Sequence, residues 1–583
     1  MDHTSPADVR LLAAHLRPER RKIVALVGIL VVAMLLPLAG PVLVGEFVNA
    51  ALAGDPTSSL VRLALLFLAA TLTGDALQLV VTWLSVRMAW RVGNNLRSDL
   101  CRHALSLDLD WHGEHSPGQL IERIDGDIDA VTRFSSTAVL QLLGNAILVV
   151  GVLVVSAIID WKASIIIGLT VLAAVLVMIR LRKVAVPFYD EEREVQAQLY
   201  GDVEERLGGL EDLRANGAGR WAEHRLQQHS ADWWRTARRA ATRGDGAISL
   251  AGAVFAVGSV LTLSLGVWSC LRGELSVGAV LTLLRFSQLV SDPLWKVAEQ
   301  LAEAQKAVAG TRRAARLLAT TSALPDGTGP LLPSGPLAVE LDHITFGYGT
   351  GHPFLRDVVL DVPAGTSLGL IGRTGSGKTT VGRLIARLWD TEQGTVRVGG
   401  TDVRHLQLHD LRRRVGIVTQ EVELFRASLR DNLTVFGAVE ASDAELCRAL
   451  DDVGLSNWFA SLPAGLDEHL EGDAELSAGE GQLLAFARVL LADPAVVILD
   501  EASSRLDPAT EDRLSSATDR LLEGRTVLII AHRLATLDRV DNIAVLDHGR
   551  LVEHGDRSSL ARDPSSHFHR HLAASRASTE VLQ

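Results

Sequence analysis

Long uncharged apolar runs in the first half of the chain constrain its fold more than any other feature. "IVALVGILVVAMLLPLAGPVLV" (Ile23 to Val44) and "AVLQLLGNAILVVGVLVVSAII" (Ala138 to Ile159) each reach the roughly 20 apolar residues that cross about 30 Å of hydrocarbon. A cleaved signal peptide has a shorter apolar core and is not followed by several more such runs. Six spans are expected, at about 23–48, 60–86, 137–159, 163–181, 246–271 and 277–297. The basic residues set their orientation. Arg17, Arg20, Arg21 and Lys22 precede the first span, Arg87, Arg91, Arg97, Arg102 and Arg123 follow the second, and Arg182, Lys183, Arg193, Arg206, Arg214 and Arg220 follow the fourth. The alternate connections hold little beyond Lys162 and Arg272. Basic loops stay in the cytoplasm, so both termini and the two long connections, 87–136 and 182–245, are expected there, in a multi-pass protein of the plasma membrane.

The rest of the chain reads differently. At 583 residues it exceeds what one hydrophobic core serves. After the sixth span, helical periodicity runs on to about Leu318 and is broken by the linker "TSALPDGTGPLLPSGP", 321–336. Beyond it, short strands alternate with amphipathic helices, the pattern of an α/β domain over 337–583. The expected fold is therefore an all-α six-helix transmembrane domain, 1–320, followed by an α/β P-loop NTPase domain. The net charge of -12 argues against a nucleic-acid partner. Cys101, Cys270 and Cys447 are too few and too scattered for a disulfide framework or a metal site. The tract "HFHRH" near the C-terminus reads as a closing surface helix.

The chemistry is densest in "LGLIGRTGSGKTTVGRLIARL", an apolar strand, a loop and a helix. Gly372, Arg373, Thr374, Gly375, Ser376, Gly377, Lys378 and Thr379, followed by Thr380, form G-x-x-x-x-G-K-[ST] in strand-loop-helix context. The glycines let backbone N–H groups wrap phosphates, Lys378 reaches the outer phosphates, and Thr379 offers its hydroxyl to Mg²⁺. "AVVILDEASSRLD" supplies a strand ending in two acids, Asp500 to hold Mg²⁺ and Glu501 to polarise the attacking water. "VLIIAHRLATL" is a third strand, ending at His532. In "ELSAGEGQLLAF", Ser477 and Glu480 form a capping box, while Ser477 and Gly479 at a helix N-terminus also suit an anion.

With these residues in place, the chain from about residue 20 to 560 resembles an ATP-binding cassette (ABC) half-transporter of the exporter fold. The resemblance implies that Tyr348 in "ITFGYG" stacks on adenine, that Gln420 in "VGIVTQEVELF" is the Q-loop glutamine beside the metal, and that "LSAGE" at Leu476 to Glu480 is the signature. It makes Asp500 and Glu501 the Walker B aspartate and catalytic base, "SRLD" with Asp507 the D-loop, and His532 the switch histidine. It identifies "RHALSLDLDWHGEHSPGQLIERIDGDIDAV" and "EERLGGLEDLRANG" as the two intracellular loops, whose short helices dock on the nucleotide-binding domains in that family. Two chains then sandwich two ATP molecules, each site pairing one phosphate loop with the other chain's signature. The family's usual signature is L-S-G-G-Q, and here Ala478 and Glu480 depart from it. The preceding "LDEHLEGDAELS" departs from the usual T-x-V-G-E-x-G. Such departures accompany heterodimers with unequal ATP sites, so a second, different half-transporter is the favoured partner over a second copy.

Asp75 in the second span and Arg285 in the sixth stand out as candidate substrate residues, with Gln141, Asn145 and Gln288 as milder cases. Ionisable groups inside spans are costly and mark pathways when they do not simply pair or lie near the surface. The leading expectation is ATP-driven export of a small or amphipathic compound. Uptake by an exporter-fold protein and a non-transporting regulatory ATPase remain as alternatives.

Overall fold

The computed structural model describes residues 17–349, 353–420, 422–471, 476–500, 508–531 and 534–580. Its chain forms two compact units, one of the described residues of Met1–Leu105 and Pro117–Thr320, the other of those of Ser106–Ser116 and Thr321–Gln583. The eleven residues of Ser106–Ser116, which by sequence lie in the first cytoplasmic connection, thus pack with the C-terminal unit.

The first unit is helical, and among the described residues five helices are long and apolar enough to cross a membrane: Arg17–Ala53, Thr57–Leu105, Pro117–Ile159, Trp161–Arg180 and Gly252–Leu271. The expected sixth span, 277–297, differs. It is divided into helices Val277–Leu289 and Ser291–Ala319 at Val290. Pro293 explains the interruption, because its ring cannot donate to the carbonyl four residues back and clashes with it. The first span is interrupted in the same way by a 3-10 turn at Leu36–Leu38, which contains Pro37.

Close approach replaces bulk where these helices touch. A Cβ on Gly45 would lie 2.6 Å from Gly278 O, and one on Gly278 would lie 2.0 Å from Gly45 O, so only glycine fits either position. Asn49 Oδ1 accepts from Gly278 N at 2.8 Å and Thr282 Oγ1 donates to Pro41 O at 3.0 Å across the same crossing. Small residues with interhelical hydrogen bonds are the usual means of helix association where the solvent is itself apolar.

The C-terminal unit holds two sheets. Strands β1 (Val339–Phe346), β2 (Leu355–Val362), β4 (Gln393–Val398) and β5 (Thr401–Asp402) form an antiparallel sheet ordered β2-β1-β4-β5. Strands β3 (Ser367–Gly372), β6 (Val415–Val418), β7 (Val496–Asp500), β8 (Thr526–Ile530), β9 (Asn542–Asp547) and β10 (Arg550–Asp556) form the other, ordered β10-β9-β3-β8-β7-β6. All its pairs are parallel except β10 with β9. Helices cover both faces, so the central strands are continuous apolar runs. Their alternation divides the core. Val497, Leu499, Val527 and Ile529 face one cluster with Leu483 and Phe486, while Val496, Ile498, Leu528 and Ile530 face another with Val381 and Leu384.

Candidate functional site

Strands β3, β7 and β6 run parallel, so their carboxyl ends open on one edge of the sheet, where ligands of such sheets bind. The loop after β3 turns into helix Lys378–Ile385 through Gly375 at φ 80° and Gly377 at φ 104°. A Cβ on Gly377 would also stand 2.5 Å from Leu355 Cδ2, so any side chain there would be strained by the positive φ and would have to push the leucine methyl aside. Lys378 is buried, 4 % exposed, and its Nζ donates to Gly372 O at 2.9 Å and Arg373 O at 3.1 Å. Among the described residues the buried Ser376 Oγ has no hydrogen-bond partner. A buried hydroxyl without a partner is costly, and one placed in a loop of this shape suits a phosphate oxygen.

Thr379 Oγ1 donates to Asp500 Oδ1 at 3.2 Å. Thr379, Asp500 and Gln420 line one cavity of about 430 Å³, with Arg383 and Thr419 on its wall. A hydroxyl, a carboxylate and a carboxamide are hard oxygen donors of the kind that Mg²⁺ takes when it keeps several waters and binds phosphates, so the residues present fit that ion. Tyr348 is 38 % exposed, its hydroxyl donates to Thr380 Oγ1 at 3.2 Å, and its ring meets Phe346 and Trp389 edge to face. Glu501, Asp507 and His532 lie outside the described residues.

Ser477 caps helix Ala478–Ala492, and the capping box is closed. Ser477 N and Ser477 Oγ both donate to Glu480 Oε2, at 3.0 Å and 2.8 Å, while Glu480 N donates back to Ser477 Oγ at 3.3 Å. Gly479 is buried behind them. The carboxylate thus already engages the hydroxyl that the signature reading assigns to a phosphate.

In the first unit, a cavity of about 330 Å³ is lined by Gln78, Thr82, Gln141, Asn145, Asp292 and Pro293, among others. Gln300 Nε2 donates to Gln141 Oε1 at 2.6 Å, and Asn145 Nδ2 to Pro293 O at 3.4 Å. Asp75 and Arg285 do not line this cavity. Asp75 is exposed, and so is Arg285, whose guanidinium donates to Gln288 Oε1 at 3.4 Å. The two milder candidates Gln141 and Asn145 therefore stand at the cavity, while the charged pair stands away from it.

Sequence reasoning missed Trp389 and Asp110. Trp389 Nε1 donates to Asp110 Oδ1 at 2.6 Å inside the C-terminal unit. No spacing rule connects positions so far apart, and the lone tryptophan after the phosphate-loop helix was the one available hint.

A phosphate loop, a facing aspartate and a glutamine at one sheet edge, in a chain that also carries apolar membrane-length helices, define a P-loop ATPase built into a membrane protein. Comparison with known proteins agrees. Residues 23–294 match the family described as ABC transporter transmembrane region, and residues 355–504 match the family described as ABC transporter. The chain belongs to the ABC transporter family, with the two domains fused, and is an ATP-hydrolysing, multi-pass transporter of the exporter type. It is 29% identical to the uncharacterised ABC transporter ATP-binding protein YfiC of Bacillus subtilis, over 93% of this chain and 90% of that one. It is 31% identical to a multidrug efflux ATP-binding/permease protein of Mycobacterium bovis, over 87% of this chain but only 43% of that longer one. An ATP-dependent lipid A-core flippase of Legionella pneumophila is 28% identical over 84% of this chain and 82% of its own. The fold matches a bacterial Atm1-family ABC exporter solved with ATP bound, at TM-score 0.79 and 23% identity, covering 96% of this chain and 98% of that one.

Proposed function

We propose that the chain is one half of a dimeric pump that exports a small or amphipathic compound from the cytoplasm, its C-terminal unit lying on the cytoplasmic side of the plasma membrane. The observation that carries this reading is the Thr379–Asp500 contact beside Gln420 under the phosphate loop. It supports a site in which Gly372, Arg373, Thr374, Gly375, Ser376, Gly377 and Thr380 surround the phosphates of ATP, Lys378 meets the outer ones, and Tyr348 stacks on adenine. Thr379, Asp500 and Gln420 would hold Mg²⁺, which when bound neutralises developing charge on the phosphates. Glu501 orients the attacking water, with His532 and Gln420 completing the catalytic set. Ser477, Gly479, Glu480 and Asp507 serve the partner's nucleotide, so neither chain has a complete site alone.

A different half-transporter is the favoured partner, because Ala478 and Glu480 depart from the usual signature and Glu480 sets a carboxylate beside the signature serine. Purification of the chain alone tests this: a homodimer with robust ATPase activity refutes the heterodimer. Direction is tested with inverted vesicles containing the transporter. ATP-dependent uptake of labelled amphiphiles into the lumen supports export, release indicates import, and neither outcome leaves a regulatory ATPase. Asp75→Asn and Arg285→Gln are expected to alter substrate preference at near-normal basal ATPase activity. Unchanged transport by both removes them from the pathway.

A further inference from the structure

One contact of Ser106–Ser116 within the C-terminal unit reaches a side chain that the nucleotide machinery also touches. The Trp389 indole donates to Asp110 through its N–H at 2.6 Å. Its ring meets the Tyr348 ring edge to face, with centroids 5.3 Å apart and planes at 89°, and the Arg383 guanidinium stands 5.6 Å over it. Tyr348 is in turn tied to Thr380 of the phosphate-loop helix. One indole therefore lies between the aromatic offered to adenine and a carboxylate in the first turn of helix Leu109–Glu114.

That helix is held firmly enough to respond as a body. Asp108 caps it, accepting from Trp111 N at 2.9 Å with one carboxylate oxygen. With the other it accepts from Ala323 N at 2.7 Å and Ser322 Oγ at 3.3 Å. Burial pushes the Asp108 carboxyl up, but these hydrogen bonds outweigh it and hold it below the usual aspartate range.

We propose that Trp389 is a positioning residue that couples occupancy of the base site to the Ser106–Ser116 segment, so that this segment distinguishes a strongly stacking purine triphosphate from a weakly stacking pyrimidine one. The proposal rests on the nucleotide reading above and adds base dependence to it. Both links are directional: edge-to-face ring pairs have a preferred geometry, and a hydrogen bond to a carboxylate is strong and oriented. A base stacked on Tyr348 fixes that ring, which fixes the indole, which fixes Asp110. Coupling is reciprocal, so docking of the segment favours the stacked base by the same factor.

Hydrogen–deuterium exchange on the full chain, saturated with ATP or with CTP in EDTA to suppress turnover, tests this. ATP is expected to protect amides 106–116 about fivefold or more beyond CTP, the lower range of measured site couplings. Trp389→Phe keeps a ring but loses the N–H, and Asp110→Ala removes the acceptor. Each is expected to abolish the ATP–CTP difference while ATP still protects 372–380, and the double variant to do no more than either single one. Equal protection of 106–116 by both nucleotides in the parent chain, with 372–380 protected, overturns the proposal alone. So does a Trp389→Phe variant that lowers protection equally with every nucleotide, the mark of a merely structural contact. Failure of ATP to protect 372–380 overturns the nucleotide reading and this proposal together.

Discussion

The two units bury opposite things. In the C-terminal unit the apolar side chains are inside, with Val497, Phe486 and Leu528 nearly inaccessible on either side of the parallel sheet. In the first unit they are largely outside: Leu79 is 72 %, Val150 59 % and Ile158 79 % exposed, while glycine, threonine and asparagine make the interior contacts between Ala39–Ala53 and Val277–Leu289. Water drives the first arrangement, since apolar surface removed from it is stabilising. It cannot drive the second, because hydrocarbon solvates a leucine as well as another helix does, and close packing and hydrogen bonds must hold the helices instead. The same residue type therefore carries different information in the two halves.

Substitutions can break this contrast one unit at a time. The largest expected effect is on chemistry: Lys378→Ala should lower ATP turnover at least about 100-fold, as loss of a charge-stabilising group does, with both units still folded by circular dichroism. Gly278→Leu should cost about 3 kcal/mol or more, because the added side chain meets Gly45 backbone. It should lower the first unit's unfolding temperature in detergent while ATP binding persists. Val150→Ala, on the exposed face, should change that temperature little; a large drop there would show that Val150 is covered. Asp108→Ala should cost about 1 kcal/mol, the usual worth of a helix cap. Because the Asp108 carboxyl is lowered, its contribution is present above the ordinary aspartate pKa and is lost as pH falls through the lowered value. The smallest effect is at the signature. Glu480→Gln keeps the capping box without a charge near the phosphates, so ATP-driven association should strengthen roughly twofold to fivefold. No change in ATP affinity or turnover would mean that the cap already neutralises the carboxylate.

The sequence showed most clearly whatever repeats or clusters locally. Apolar runs located the membrane helices, strand-loop-helix spacing located Lys378 and Thr379, and an apolar strand ending in two acids located Asp500; the fold then brings Thr379 and Asp500 into contact. Ser477 and Glu480 announced their mutual cap at a separation of three residues. What stayed hidden was made by tertiary contact. The meeting of Gly45 with Gly278, and of Asp110 with Trp389, joins residues more than two hundred positions apart, and nothing in either local pattern names its partner. The division at Val290 falls between these cases. Pro293 was visible, but inside an otherwise continuous apolar segment it did not outweigh the hydrophobic signal.

The register of the parallel sheet carries a consequence for how this site tolerates change. Leu370 of β3 and Asp500 of β7 both pair with Ile530 of β8, on one rung across three strands. The distance from phosphate loop to aspartate is therefore measured by backbone, in steps of about 3.3 Å per residue. Volume-conserving apolar exchanges at Val527 to Ile530 of β8 leave this ruler in place, yet one residue gained or lost there moves it by a whole division. Within β8 it is a change of length, more than a conservative change of identity, that would displace this centre.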